Sequence, residues 1–279
     1  MVERQHRRKG GAAVLASAAA GLMVCATGCS GSGAAAEDAR AATAPVGVLR
    51  QASTSLVRAG SSKAHTSMEM ATGGTRVTIR GEGVYDYRRQ VGRLKVRLPQ
   101  DPAGTPGHRP ITELLAPGAL YMKNRGAGVP PDKWVRVDTA TLSDGNLVTG
   151  GATDPLAAAE LLRGTRKATY IGKTTVAGTP VRHYRGTADL GKAAERASEG
   201  NRGPLRAAAK GFATADVPFD AYLDEQGRIR KLRHRFSFVN GQQGGTVAVA
   251  STMLLYDFGA PVDVRLPDAE DIFAGKIAE

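Results

Sequence analysis

Residues 217–238, Val-Pro-Phe-Asp-Ala-Tyr-Leu-Asp-Glu-Gln-Gly-Arg-Ile-Arg-Lys-Leu-Arg-His-Arg-Phe-Ser-Phe, decide the fold. Val217, Phe219, Ala221 and Leu223 occupy alternate positions. So do Leu232, His234, Phe236 and Phe238, with Lys231, Arg233 and Arg235 on the other parity. Successive side chains of a strand point to opposite faces, so each run reads as a strand with one apolar and one wet face. Asp224-Glu225-Gln226-Gly227 between them is turn chemistry. Residues 247–258 add a third long strand. Three long neighbours joined by tight turns imply an antiparallel sheet that its own twist curves.

The same period recurs upstream. Met68 and Met70, Val77 and Ile79, Tyr85 and Tyr87, and Leu94, Val96 and Leu98 alternate with polar partners. The intervening glycines, Gly81 and Gly83 among them, read as turns of a four-strand meander. Short strands are expected at 111–115 and 119–123, around Pro117-Gly118, and at 133–137, which carries the only tryptophan, Trp134. Further strands are expected at 168–171 and 180–187, with a last extended piece at 262–266. Three segments read as helices. Residues 46–59 place Val46, Leu49, Leu56 and Val57 at helical spacing. Asp154 caps a second helix with Pro155 in its first turn, and Gly164 stops it. Residues 190–212 are helical with a break at 200–204.

The N-terminus reads as an export signal. Arg4, Arg7, Arg8 and Lys9 precede an apolar, Ala-rich run at 12–26, and Ala26-Thr27-Gly28 lead to Cys29. Basic head, short apolar run and small-residue cleavage site define a secretory signal. The run is shorter than the ~20 residues that span a bilayer. Cys29 stands where a lipoprotein signal peptidase leaves the new N-terminus, although Ala26 replaces the usual Leu. The organisation read from this is a signal at 1–28, a small-residue tether at 29–45 and one folded domain at 46–279. The expected location is the extracytoplasmic face of the cell membrane, with a lipid such as palmitate on Cys29.

Cleavage lowers the net charge from +12 to +9 and leaves Cys29 as the sole cysteine, so no internal disulfide can form. An exported chain without disulfides needs a proper core. The positive charge suits anionic head groups or an acidic partner. No run of five like charges occurs, which favours a scattered Arg-rich surface. Export disfavours nucleic acid.

Catalytic patterns are not evident. No nucleophile elbow, zinc-protease helix, phosphate loop or dinucleotide fingerprint occurs. The histidines lack metal-ligand spacing, and His183 and His234 read as partly exposed structural residues in strands. Asp220 and Asp224 read as solvent-facing charges balanced by the neighbouring arginines. The expectation is a non-enzyme with no metal and no cofactor.

Several motifs in order carry a resemblance. They are the Cys29 signal, Thr66-Ser67-Met68-Glu69-Met70 after the first helix, Leu120-Tyr121-Met122-Lys123 before Lys133-Trp134-Val135, and Asp154-Pro155-Leu156. Val176-Ala177-Gly178-Thr179-Pro180 with His183-Tyr184, Phe219-Asp220-Ala221-Tyr222-Leu223-Asp224, and Tyr256-Asp257-Phe258-Gly259 follow. Together they resemble the LppX/LprG-type actinobacterial lipoproteins, relatives of the LolA lipoprotein carrier. The resemblance implies an α+β half-barrel, a strongly curved antiparallel sheet with helices closing its concave face. It further implies that acyl chains lie between sheet and helices, and it offers no catalytic residues. The expected cavity residues are Met68, Met70, Val77, Ile79, Leu94, Val96, Leu120, Met122, Trp134, Phe219, Leu223 and Phe236. The expected state is a monomer, membrane-bound through its lipid, with an apolar or lipid ligand. A sensor or interaction module of the same fold, meeting an envelope protein, stays open beside lipid or lipoprotein transport.

Overall fold

The computed structural model describes residues 43–72, 74–99, 109–240 and 245–275. The signal, Cys29 and most of the tether lie outside them. Eleven strands form one antiparallel sheet: β1 (Ser61–Thr72), β2 (Thr75–Asp86), β3 (Val91–Arg97), β4 (Ile111–Ala116), β5 (Ala119–Lys123), β6 (Val135–Asp138), β7 (Thr165–Val176), β8 (Thr179–Asp189), β9 (Asp216–Leu223), β10 (Ile229–Asn240) and β11 (Gly245–Tyr256). The spatial order is β6-β5-β4-β3-β2-β1-β11-β10-β9-β8-β7. Two meanders thus meet at the β1–β11 seam, where Lys63 pairs with Tyr256 and Met70 with Val249. The sheet does not close on itself: β6 and β7 are its edges. This is the expected α+β half-barrel.

Gly81 and Gly83 mark no turns. Both lie inside β2, which runs unbroken from Thr75 to Asp86. A Cβ on Gly81 would stand 2.6 Å from Thr66 Oγ1 and 3.1 Å from the Ala152 Cβ, and one on Gly83 would strike the Arg93 carbonyl. These glycines permit close approach across a packed floor, a use that spacing alone cannot separate from a turn.

Helices and one irregular segment cover the apolar, concave face. Helix α1 (Pro45–Ala59) buries Leu49, Ala52, Ser53 and Leu56. Helix α2 (Pro155–Leu161) begins as expected: Asp154 accepts hydrogen bonds from the backbone N–H groups of Leu156 and Ala157. Helices α3 (Leu190–Arg196) and α4 (Glu199–Gly211) follow β8. The break between them falls at 197–198, ahead of the expected 200–204, and Pro204 sits inside α4. Its cause is tertiary: the buried Glu160 carboxylate accepts from the Ser198 N–H (3.1 Å), the Ser198 hydroxyl (2.9 Å) and Asn201 Nδ2 (2.9 Å).

Residues 144–153 plug the rest of the concavity, and all but Thr149 are buried. The plug carries its own scaffold. Asp144 accepts from the N–H groups of Asn146, Val148 and Thr149, and Asn146 Oδ1 from that of Gly150. Thr153 Oγ1 donates to the Leu147 carbonyl and meets Ser251 Oγ at 2.7 Å, fastening the plug to β11.

The C-terminal segment, residues 257–275, straps the convex face near β3–β6. Val264 packs on Val91 and Leu114, with Trp134, Tyr121 and Val262 around them. Trp134 is bridged to Ile272: its N–H donates to the Asp271 carbonyl and its own carbonyl accepts from Phe273 N–H, both at 2.8 Å. No helix among the described residues is long and apolar enough to cross a membrane.

Candidate ligand-binding site

Eleven of the twelve expected cavity residues share one core. Met68, Ile79, Leu94, Val96, Leu120, Met122, Phe219, Leu223 and Phe236 are buried in it, and Met70 and Val77 pack against it. Trp134 does not join them. It lies under the strap on the opposite face, in the cluster with Val91, Leu114 and Val264.

A cleft of about 390 Å³ opens beside that core. Ala44, Gly47, Val48, Gln51 and Ser55 of α1 and its approach form one wall. Arg182 and Tyr184 of β8 and the Glu225-Gln226-Gly227 turn form the other. Val48 packs against the core and Tyr184 belongs to it, so the cleft is where the core reaches the surface. Gly47 leaves room: a Cβ there would meet nothing within 4 Å. None of the twelve expected residues lines this cleft. The sequence does carry a signal for it, since Gly47, Gln51 and Ser55 recur every four residues on one stripe of α1, beside the apolar stripe of Leu49, Ala52 and Leu56.

Polar groups interrupt the concave floor. Glu113 is fully buried, and neither carboxylate oxygen has a hydrogen-bond partner among the described residues. Burial pushes its carboxyl well above the ordinary carboxylate range, against the opposing charge of Arg125. His234 is also fully buried rather than partly exposed, and burial lowers its imidazole to about 3. Its Nε2 has no partner among the described residues. Both side chains stand on the apolar parity of their strands, which makes them interior residues.

Asp220 and Asp224 are buried, not solvent-facing, being 4% and 2% exposed. Arginines cover them, which is the balance the sequence implies. Asp220 Oδ1 accepts from Arg185 Nε and contacts His183 Nε2, both at 2.9 Å, and Oδ2 accepts from Arg235 Nη2 at 2.9 Å. Burial raises this carboxyl, but those hydrogen bonds outweigh it and hold it at about 2. His183 stacks on Tyr222 at 4.3 Å. Asp224 accepts from Arg228 Nε at 2.8 Å and from the Gln226 and Arg228 N–H groups, which locks the β9–β10 turn on one wall of the cleft. No group of three or more His, Cys, Asp or Glu positioned to hold a metal occurs among the described residues.

No family model matches the chain, and no curated protein matches it in sequence. Among solved structures, it is similar to the lipoprotein LppX of Mycobacterium tuberculosis at 10% identity and a TM-score of 0.43, covering 80% of this chain and 100% of that one. It is similar to LprF of Mycobacterium bovis at 16% identity and 0.39, covering 80% and 96%. A putative outer membrane lipoprotein-sorting protein domain from Vibrio parahaemolyticus is similar at 9% identity and 0.33, covering 77% and 93%. The half-barrel itself rests on the strand order of the sheet.

Proposed function

We propose that this chain is a membrane-tethered, non-enzymatic envelope protein whose half-barrel holds the apolar chain of a lipid-like ligand, admitted beside α1. The cleft carries the reading. Its volume of about 390 Å³ lies in the range of small-ligand sites, roughly 300–1,000 Å³. Val48 and Tyr184 connect it to the core, while Gln51, Arg182 and Glu225 rim its mouth. An amphiphile matches that order, with the chain inward and the polar end at the rim. Each methylene taken from water contributes about 0.8 kcal/mol, so a chain holds without specific polar contacts. The plug and helices fill the remaining concavity, so a long chain enters by displacing them. Unbranched, polarisable Met68, Met70 and Met122 on the floor suit such repacking. A non-catalytic role is supported by the His183–Asp220 contact, which is fixed between two arginines on the convex face and away from the cleft.

The test is native mass spectrometry of the mature protein extracted gently from its own membranes. A co-purifying lipid mass is expected, lost in Gly47→Trp, which fills the cleft from an open helix face. An adduct-free wild type overturns ligand binding, and an adduct that survives Gly47→Trp overturns this entry site. Lipid tethering is tested separately: Cys29→Ala is expected to leave the membrane fraction.

A further inference from the structure

We propose that the convex face binds a linear, phosphate-bearing polyanion along a belt of cations crossing the strands. The strand registers place the belt. Arg185 pairs with Asp220, Asp220 with Arg233, Arg233 with Thr252, Thr252 with Ser67, Ser67 with Arg80, and Arg80 with Arg97. One row therefore runs from β8 to β3 with Arg185, Arg233, Arg80 and Arg97 on it. The adjacent rows add Arg235 on one side and Lys231 and Lys95 on the other. At about 4.8 Å between strands, six steps separate Arg185 from Arg97 by roughly 29 Å.

The charge along this belt is net positive and accessible. Arg185 and Arg97 are each 63% exposed. The opposing groups are Asp220, Glu69 and Glu82. Asp220 lies beneath the surface, and its bonds to Arg185 and Arg235 anchor two guanidinium groups whose side chains stay 63% and 45% exposed. Glu69 and Glu82 make long, exposed contacts, at 3.9 Å to Arg233 and 3.4 Å to Arg97, and such pairs contribute little. Near the β3 end, His65, Arg80, Glu82, Lys95 and Arg97 line a small hollow of about 80 Å³. Seven of the scattered basic residues thus meet on one face once folded.

Two features select the partner. Five of the seven cations are arginine, whose planar fork matches phosphate oxygens. The belt runs across the strands, along the direction in which the half-barrel curves. A flexible chain can follow that curve, whereas a flat bilayer touches it only along a line. This inference stands independently of the α1 cleft.

The probe is long-chain inorganic polyphosphate, titrated into the unlipidated mature Cys29→Ala chain, with orthophosphate as monomer control. Binding is expected to weaken steeply with salt, as counterion release from several phosphates requires. The triple variant Arg80→Gln, Arg97→Gln, Arg233→Gln is expected to lose at least tenfold in affinity. The matched variant Lys192→Gln, Arg206→Gln, Lys210→Gln, on exposed helical positions of the other side, is expected to stay within about twofold. The proposal is overturned if polyphosphate fails to bind at 150 mM salt, or if orthophosphate competes at equal concentration. It is also overturned if both triples weaken binding equally, or if phosphatidylglycerol vesicles bind as tightly as polyphosphate and lose binding in the belt variant.

Discussion

Glu160 and Glu113 are both buried carboxylates on the concave side, one within the helical cover and one beneath the plug, and their surroundings differ sharply. Glu160 receives Ser198 N–H, the Ser198 hydroxyl and Asn201, with Arg163 at 3.6 Å. Glu113 faces the plug beside Gly150 with both oxygens unpartnered among the described residues. A satisfied buried carboxylate ties elements together, while an unsatisfied one costs stability that packing must offset. The helical cover is therefore fastened to itself, and the plug is held by shape, by Thr153–Ser251 and by the Arg125 guanidinium on the Thr149 carbonyl at 3.3 Å. The difference marks the plug as the less firmly fastened of the two covers.

The sharpest way to break this contrast is Glu160→Ala. It leaves Ser198 N–H and Asn201 unpaired and opens a cavity at the junction of α2 with α3 and α4. A loss of about 3 kcal/mol is expected in chemical denaturation. A change below 1 kcal/mol would mean that the network does not hold the helical cover.

Glu113→Met tests the other side with the opposite sign. The unbranched thioether occupies similar volume without a buried carboxyl. A gain of about 1–2 kcal/mol is expected at pH 7.5, read as a higher denaturant midpoint at unchanged slope. A loss would show that Glu113 has a partner that the closed fold depends on.

The floor of this site is legible in the sequence and its covers are obscure, for physical reasons. Period-2 alternation is local, so Phe219, Leu223, Phe236, Leu94 and Val96 declare their common face by spacing alone. Asp154-Pro155 likewise announces a helix start through local cap chemistry. The plug has no period, because Asp144 and Asn146 build it from side-chain-to-backbone bonds, and its burial depends on Gly81 lying opposite Ala152. Trp134 escapes the alternation rule because a four-residue edge strand does not reveal which face a distant C-terminal strap covers. The burial of Asp220 likewise needs Arg185 and Arg235 from neighbouring strands, and only register supplies them.

Asp154 offers the most discriminating effect, because it links the two covers at the end of the plug and the start of α2. Burial is the main cause raising its carboxyl to about 6, opposed by the Ala157 and Leu156 N–H groups and by Tyr85. A carboxyl raised in the folded state binds its proton more readily there than in the unfolded chain. Its contribution is therefore present at low pH and is lost as pH climbs from the unfolded value near 3.9 to 6. Glu113 acts in the same direction above its own ordinary value. His234 acts oppositely: lowered to about 3 when folded, it favours the unfolded, protonated form as pH falls below 6.5. Between pH 4.5 and 6 the two carboxyls outweigh the one imidazole, so wild-type stability is expected to fall as pH rises. Asp154→Asn keeps a capping acceptor and removes one of the two carboxyls, leaving Glu113 and His234 opposed in direction. Thermal unfolding followed across pH 4.5–6 should then decline less steeply with rising pH in the variant than in the wild type. At pH 7.5 the variant should be about 1–2 kcal/mol more stable, a value discounted for the partial exposure of Asp154. Parallel slopes in the two proteins would place the titration elsewhere and leave the plug–helix junction electrostatically silent.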